Sequence, residues 1–180
     1  MPVSEKTYRQ LALEDREGLW ELHCGRLVQK PGMSYEHGHL TTRLFLSLGR
    51  QLDEHQFTLR SNHARTRTSG SYNIPDICVL PIELARPHRG ERGLEFYDPP
   101  LPLVVEVWSP STGDYDVNEK LREYQRRGDT EIWLIHPYER TLTAWRRQAD
   151  GSYAETIHTG GVIEPVALPN VRIDLDTFFE

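Results

Sequence analysis

The stretch PLVVEVWSPST, residues 102–112, decides how this chain folds. Its first half is a nearly continuous apolar run, which is typical of a strand buried on both faces of a sheet. Glu106 interrupts that run, although an ionised carboxylate buried without a partner costs several kcal/mol. The sequence therefore predicts a central strand whose glutamate has a partner from elsewhere in the chain or from a bound cation.

Two helices are predicted on either side of this strand. After Ser34, a suitable N-cap, leucines recur every four residues and predict an amphipathic helix: Leu40, Leu44, Leu48 and Leu52. A second helix is predicted over DVNEKLREYQRRG, residues 116–128, with Gly128 as its stop. Three residues are candidates for its N-cap: Ser111, Thr112 and Asp114.

The other segments are typical of a short helix, strands and turns. We expect a helix over about Glu5–Glu14 and a hairpin that turns at Cys24 and Gly25. Strands are predicted over residues 57–68, 74–82, 131–137, 141–148, 152–160 and 171–179, with residues 70–73 as a turn and 83–100 as a loop. This order predicts a single α/β domain over residues 1–180, in which helices flank a mixed β-sheet.

Composition narrows the class of protein. A net charge of −6 argues against a protein that coats nucleic acid nonspecifically, because such binding comes largely from neutralising phosphates. It leaves room for a metal-dependent nuclease, which concentrates carboxylates at its site and needs only a local basic rim. Each cluster of arginines is either such a rim or a solvated face: Arg60, Arg65 and Arg67; Arg86, Arg89 and Arg92; Arg122, Arg126 and Arg127; Arg146 and Arg147.

The sequence predicts a cytoplasmic protein without a membrane segment. Its N-terminal stretch lacks the apolar core and the cleavage site of a signal peptide, and no stretch approaches the ~20 apolar residues of a membrane helix. Cys24 and Cys78 have neither metal-ligand spacing nor a disulfide framework around them. No G-x-S-x-G elbow, P-loop or zinc spacing occurs, which disfavours a serine hydrolase, an NTPase and a zinc protein.

Asp76 and Glu106 are candidates for a metal site. Asp76 stands at the head of one apolar strand and Glu106 inside the next, so the two carboxylates converge if the strands pair. When two carboxylates lie so near each other, both stay ionised only if a cation lies between them. Mg²⁺ (or Mn²⁺) suits such a pair, because it binds one or two carboxylates plus waters and phosphate oxygens. The alternative is a buried ion-pair network with Arg65 or Arg67 from the preceding strand.

Lys120 is predicted to complete this site from the second helix. Asp116, Lys120 and Tyr124 are spaced four residues apart and form one stripe along that helix. The link from Glu106 is short, so the first turns of the helix pack near its strand and Lys120 can point back at the carboxylates. There it could orient or help deprotonate an attacking water and offset charge on a pentacovalent phosphate.

These residues resemble the Uma2 family of restriction endonuclease-like proteins, which belong to the PD-(D/E)XK nuclease superfamily. The similarity includes Pro75-Asp76 and Lys120, and it extends over nearly the whole chain in five segments: WELHCGRLV, SYEHGHLTTRLFLSL, EVWSPST, EYQRRGDTEIWLIHP and ALPNVRIDLDTFF. It implies a restriction endonuclease-like fold and a Mg²⁺-dependent endonuclease that hydrolyses phosphodiester bonds in DNA. The alternative is a catalytically inactive nucleic-acid-binding or assembly module on the same fold.

The resemblance also implies further site residues. In the E-x-K pattern of the superfamily the lysine stands two residues after the glutamate, where this chain has Trp108, so Lys120 is implied to replace it from the helix. Glu21 is implied as an additional acidic residue near the metal, and His37 as a contact to a phosphate or to a metal-bound water. A hydrogen-bonded structural role is the alternative for both, and Tyr124 is predicted to pack or orient.

We also expect a homodimer. Cutting both strands of a duplex usually takes two active sites, which a symmetric pair of chains supplies. The strand-rich C-terminal third offers sheet edges that a partner could cover.

Overall fold

The computed structural model describes residues 2–111 and 113–180, with the side chains of residues 113–116 outside the description. The helices in these ranges are α1 (Glu5–Glu14), α2 (Tyr35–Gln51), α3 (Ile82–Ala85), α4 (Gly113–Arg127) and α5 (Leu175–Phe178), and a 3-10 turn covers Arg86–His88. The strands are β1 (Trp20–His23), β2 (Arg26–Gln29), β3 (Phe57–Ser61), β4 (Arg65–Thr68), β5 (Ser71–Asn73), β6 (Ile77–Pro81), β7 (Phe96–Tyr97), β8 (Leu103–Val107), β9 (Glu131–His136), β10 (Thr141–Arg147), β11 (Tyr153–His158), β12 (Val162–Ile163) and β13 (Ile173–Asp174). Within the described ranges, no helix has both the length and the apolar character to cross a membrane.

The strands form two larger sheets and one small one. A six-stranded sheet has the order β11-β10-β9-β8-β6-β3, a five-stranded sheet has the order β2-β1-β5-β4-β7, and β12 pairs with β13. Strand β8, which carries Glu106, lies in the interior of the six-stranded sheet, antiparallel to β6 and parallel to β9. This interior position explains why every residue of β8 is buried and why its sequence is almost wholly apolar.

Different helices cover the two faces of the six-stranded sheet. On one face, Val105 and Trp133 belong to the same buried cluster as the leucine stripe of α2, where each fully buried leucine stabilises the fold by about 1.5–3 kcal/mol. On the other face, Val104 packs in a cluster that includes Tyr124 of α4. Because side chains alternate along a strand, Glu106 lies on the same face as Val104 and points toward α4.

The five-stranded sheet packs α1 on one face, through a cluster that includes Tyr8, Leu22 and Tyr72. Its opposite face carries Glu21, whose side chain lies next to Lys120 of α4. Helix α4 therefore contacts both larger sheets, and its inward side is where charged residues of the two sheets meet.

Most of the predicted elements are confirmed, and four segments differ from the prediction. The single strand expected over residues 57–68 is two strands, β3 and β4, that belong to different sheets and are separated at Asn62, whose φ of 51° turns the chain. The expected turn at 70–73 contains β5, and the expected loop at 83–100 contains α3, the 3-10 turn and β7. The strand expected over 171–179 ends early, because the Asp174 side chain caps α5 by accepting from two backbone N–H groups.

The predicted N-cap of α4 is tested for one candidate only. Ser111 donates its hydroxyl to the carbonyl oxygen of Gly32 and lies 2.9 Å from the Ser109 hydroxyl, so its side chain serves the loop before the helix. Thr112 and the side chains of Asp114 and Asp116 lie outside the described residues.

Candidate active site

The pairing of β6 with β8 brings Asp76 and Glu106 to neighbouring positions. Ile77 lies opposite Val105 in this antiparallel pair, and one further step of the same register places Asp76 across from Glu106. A hydrogen bond of 2.7 Å from the backbone N–H of Val107 to Asp76 Oδ2 joins the two strands at this point. The convergence that the sequence predicts for the two carboxylates is therefore present.

Asp76 is buried, and both its carboxylate oxygens accept hydrogen bonds. Oδ1 accepts from Lys30 Nζ at 2.7 Å, while Oδ2 accepts from the Val107 N–H and lies 3.0 Å from His37 Nε2. Burial raises the pKa of Asp76, but Lys30 and His37 outweigh burial and bring this pKa well below its ordinary value. Asp76 is therefore a carboxylate that stays ionised at neutral pH.

Lys30, just after the hairpin of β1 and β2, belongs to this cluster although no motif points to it. Its ammonium group donates to Asp76, to Asn62 Oδ1 at 2.6 Å and to the carbonyl oxygen of Ile74 at 2.8 Å. The scarcity of lysine is the signal that could have revealed it. The chain has three lysines and 18 arginines, and two of the three lysines are buried at this site.

Glu106 has weaker compensation than Asp76. The hydroxyl of Tyr124 donates to Glu106 Oε1 at 2.5 Å, and Lys120 Nζ lies 3.6 Å from the same oxygen. Burial raises the pKa of Glu106 to about 7, with Lys120 opposing the rise and the negative charge of Asp76 adding to it. At neutral pH this carboxyl group is poised between its protonated and ionised forms.

Lys120 points into the site, as predicted, and lies closer to Glu21 than to Glu106. The distance from Lys120 Nζ to Glu21 Oε1 is 2.9 Å, and the same oxygen accepts a hydrogen bond of 2.6 Å from the backbone N–H of Ile74. Burial raises the pKa of Glu21, but Lys120, His23 and Lys30 outweigh burial and lower this pKa to about 2. Glu21 therefore fixes the position of the lysine that the sequence assigns to the site.

The structure brings together all six side chains that the sequence singles out: Glu21, His37, Asp76, Glu106, Lys120 and Tyr124. Their catalytic roles stay predictions. The alternative network with arginine is wrong, because Arg67 pairs with Glu5 and Asp98, and Arg65 donates to the carbonyl oxygen of His63. Trp108, at the E-x-K lysine position, stacks on His136 with ring centroids 4.4 Å apart.

The donor set suits a small hard cation. In the described part of the chain no three His, Cys, Asp or Glu side chains are arranged to hold a metal. Asp76 and Glu106 supply carboxylate oxygens, and Mg²⁺ commonly binds one or two carboxylates and takes its other ligands from water or substrate. Three carboxyl groups, those of Glu21, Asp76 and Glu106, face the two ammonium groups of Lys30 and Lys120, so the ammonium groups do not balance all three when Glu106 is ionised. The free space beside Asp76 and Glu106 is about 10 Å³, roughly the room that one water molecule needs.

A polar cleft of about 410 Å³ borders this site along α4. Its lining includes three arginine side chains: Arg26, Arg122 and Arg126. His23 separates the cleft from the carboxylates, because its ring lies 3.4 Å from Glu21 and 3.5 Å from Glu119. The cleft is therefore within one side chain of the site.

Comparisons with known proteins support this architecture. A crystal structure of "a putative nuclease" from Anabaena variabilis is similar in fold, with a TM-score of 0.74, 18% sequence identity, and coverage of 91% of this chain and 90% of that chain. This likeness confirms the predicted fold class, a mixed β-sheet flanked by helices. None of the curated proteins matches the chain. The sequence model of the Uma2 family, described as "putative restriction endonuclease", matches residues 6–176, so the chain belongs to the Uma2 family.

Proposed function

We propose that this protein is a Mg²⁺- or Mn²⁺-dependent endonuclease that hydrolyses phosphodiester bonds in DNA. The observation that carries the proposal is the meeting of Asp76 and Glu106 at one end of a strand pair, with an ammonium group beside each carboxylate. Membership of a family described as restriction endonucleases supports the reaction class. The raised pKa of Glu106 supports the requirement for a divalent cation, because its ionised form lacks a full counter-charge within the protein.

Asp76 and Glu106 would hold the cation. When bound, a divalent ion polarises a phosphoryl oxygen and lowers the pKa of a coordinated water. Ionised Asp76 is ready as a ligand, whereas Glu106, with its pKa of about 7, would give up a proton as it becomes one. Metal binding would therefore be tighter at pH 8 than at pH 6.

Lys120 would orient the attacking water and offset negative charge on the phosphate. A charge that is held in place stabilises a transition state more strongly in a site that excludes water than it does in bulk water. Glu21 holds the Lys120 ammonium group at 2.9 Å, so this charge is preorganised. His37 and Tyr124 each hold one carboxylate, and we assign them positioning roles. These assignments need no chemistry from either side chain.

A nucleic acid substrate is supported by the cleft beside α4. Arg26 and Arg126 have side chains that are 61% and 65% accessible, and they pair with Glu119 and Glu123 of the same cleft, while Arg122 is also exposed there. Exposed arginines bind phosphates through charge and paired N–H groups. These arginines lie on a chain whose net charge is −6. This charge distribution favours binding of nucleic acid at the cleft over binding across the whole protein surface.

A cleavage assay tests the proposal. Purified protein is incubated with supercoiled plasmid and with single-stranded DNA, with Mn²⁺, with Mg²⁺ or with EDTA. We expect metal-dependent cleavage that falls by about 100-fold or more in Asp76→Asn and in Lys120→Met, while Lys6→Met, a change far from the site in sequence and at an exposed position, cuts like wild type. Equal cleavage by wild type and Asp76→Asn would remove the proposal.

One observation favours the second candidate, an inactive module that binds nucleic acid. Both oxygens of Asp76 already have partners within the protein, so this buried carboxylate is satisfied without a metal. Calorimetry with Mn²⁺ separates the two candidates. Binding to wild type that is lost in Asp76→Asn supports the nuclease, whereas DNA binding without any binding of Mn²⁺ supports the module.

We further propose that the active form is a cytoplasmic homodimer. Strand β11 lies at the edge of the six-stranded sheet, where Ile157 is 61% exposed, and such an edge is a natural place for a second copy to pair. The two free cysteines are consistent with a reducing compartment. Light scattering that detects only monomer at micromolar concentration would exclude the dimer.

A further inference from the structure

We propose that Lys30 is a positioning residue whose ammonium group stands in for the divalent cation at Asp76 and leaves that carboxylate when the metal binds. Lys30 would then set how tightly the site takes up metal and would keep the empty site folded. This inference rests on the proposed function, because it needs a cation that binds Asp76.

The surroundings of Lys30 resemble those of a bound ion. Its three N–H bonds point at three oxygens of three kinds: the carboxylate of Asp76, the side-chain amide of Asn62 and the backbone carbonyl of Ile74, at 2.7, 2.6 and 2.8 Å. An ammonium group has three donors and no acceptor, so it is fully satisfied here. The side chain is 5% exposed, which places the positive charge inside the protein.

The backbone around Asn62 is shaped to hold this arrangement. Asn62 has a φ of 51°, in the left-handed region that side chains other than glycine rarely adopt. Its N–H donates to the backbone carbonyl of Asp76 at 3.2 Å, while its side-chain oxygen accepts from Lys30. Asparagine adopts this region more readily than most residues, because its short polar side chain can form local hydrogen bonds. Asn62 thus ties the lysine and the aspartate into one unit.

Electrostatics gives the reason for exchange. An ammonium group and a divalent cation on the same carboxylate repel each other strongly in a buried site. Lys30 has a flexible stem and two further acceptors, so it can leave Asp76 and keep two hydrogen bonds. Lys30 also lines the small free space beside Asp76 and Glu106, so a cation that enters this space lies next to the Lys30 ammonium group.

The choice of lysine supports exchange over a permanent ion pair. Elsewhere this chain uses arginine for its buried cations, as at Arg65 and Arg127. Arginine presents a planar fork that binds carboxylates in a fixed geometry, whereas lysine is a mobile point charge. Of the three lysines, Lys30 and Lys120 are at the site and Lys6 is exposed on α1, where it provides an internal control.

The scarcity of lysine makes a direct test simple. In protein labelled with ¹³C at lysine Cε, three side-chain signals are expected, and Lys30→Met and Lys6→Met assign them. We expect the Lys30 signal to move as Mg²⁺ is added and to saturate together with the binding curve from calorimetry, while the Lys6 signal stays still. A Lys30 signal that does not move although Mg²⁺ binds would overturn the inference.

The affinity for Mn²⁺ gives a second readout. We expect Lys30→Met to bind Mn²⁺ at least about tenfold more tightly than wild type, because the competing charge is gone, and Lys6→Met to bind like wild type. Weaker binding by Lys30→Met would overturn the inference, since Lys30 would then support the bound metal. If Lys30→Met does not fold, Lys6→Met and Lys120→Met assign the Lys30 signal by elimination, and the Mg²⁺ titration of wild type then decides alone.

These results distinguish the inference from the function on which it rests. Binding of Mn²⁺ that is lost in Asp76→Asn, together with a motionless Lys30, would overturn the inference and leave the nuclease proposal standing. Absence of binding by wild type and by Lys30→Met would overturn both.

Discussion

Two of the buried charged clusters in the described part of the chain are built from different residues. The first, at the candidate site, joins the lysines Lys30 and Lys120 to the carboxylates of both larger sheets. The second lies at the other end of α4, where Arg127 binds Asp129 through two nitrogens at 3.1 and 3.3 Å. Both clusters are buried, so burial alone does not separate a functional cluster from a structural one.

The arginine cluster has mainly backbone groups as its further hydrogen-bond partners. The Arg127 guanidinium also donates to the carbonyl oxygens of Arg67, Tyr97 and Pro99, and Asp129 accepts from the N–H of Leu101 at 2.7 Å. Backbone partners cannot leave without unfolding a strand or loop. The arginine cluster therefore joins β4, β7 and the start of β9 as a permanent part of the fold.

In the lysine cluster most hydrogen-bond and ion-pair partners are side chains. The cluster also contains Glu106, whose carboxyl group has a pKa of about 7. Side chains can rotate away, and a group poised between two protonation states can respond to a ligand. The contrast teaches that the type of cation and the source of its partners indicate function better than burial does.

The largest expected effect breaks the arginine cluster. In Arg127→Met, Asp129 stays buried without its partner, so we expect the free energy of unfolding to fall by about 3–5 kcal/mol. Urea denaturation measures this change. Because the cluster has no role in metal binding, added Mn²⁺ should stabilise wild type and Arg127→Met equally and leave the difference between them unchanged.

Arg126→Met is the matched control for this prediction. Arg126 precedes Arg127 on the same helix, but its side chain is 65% exposed, so its loss should change the free energy of unfolding by about 0.5 kcal/mol or less. Equal losses in the two variants would contradict the structural role of Arg127.

The next effect concerns the lysine cluster, where we expect a substitution to raise the free energy of unfolding relative to wild type as the pH rises. The pKa of Glu106 is raised in the folded state, so the stability that its protonated form contributes is present at pH 4.5 and lost as the pH rises through about 7. Glu106→Gln mimics the protonated form. From pH 5 to pH 8 we expect the variant to gain roughly 3 kcal/mol in unfolding free energy relative to wild type.

Denaturation of both proteins across this pH range, without metal, measures the difference. The range lies above the pKa of about 2 of Glu21 and above the lowered pKa of Asp76, so both stay ionised in the folded state throughout. Parallel stability curves for wild type and Glu106→Gln would contradict the raised pKa. A gain at pH 8 would mean that the chain keeps a destabilising carboxylate, as active sites often do.

Helices and strands could be predicted from the sequence where one hydrophobic pattern continues along the whole element. The leucine spacing of α2 and the apolar run of β8 predict both elements, because each lies entirely within one layer of the core. The division of residues 57–68 between two sheets depends on the single residue Asn62 and on a pairing with β5 that no local pattern encodes. Tertiary contacts decide such segments.

The site residues could be predicted from the sequence where they lie on elements that follow one another along the chain. Asp76 directly precedes β6 and Glu106 lies in β8, its neighbour in the six-stranded sheet, and Lys120 follows on the next helix, so short links bring them together. Lys30 reaches the site from the other sheet, across a distance in sequence of 46 residues from Asp76. No spacing rule covers that contact, and only the rarity of lysine hints at it.

The smallest expected effect compares one tyrosine from each cluster. Tyr124 donates to the Glu106 side chain at 2.5 Å, and Tyr153 donates to the backbone carbonyl of Asp129 at 2.6 Å. Replacing either by phenylalanine removes one hydrogen bond, which lowers the free energy of unfolding by about 1 kcal/mol. We expect similar losses in Tyr124→Phe and Tyr153→Phe at pH 6, measured by urea denaturation.

The two variants should differ in what the metal does. Tyr124 holds a carboxylate that we assign to the cation, so Tyr124→Phe should change the affinity for Mn²⁺ measured by calorimetry, while Tyr153→Phe should leave it unchanged. An altered affinity in Tyr153→Phe would mean that the two clusters are coupled along α4 and act as one network. An unchanged affinity in Tyr124→Phe would mean that Glu106 does not need its tyrosine to bind metal, and Tyr124 would then join the apolar cluster beneath α4 as a packing residue.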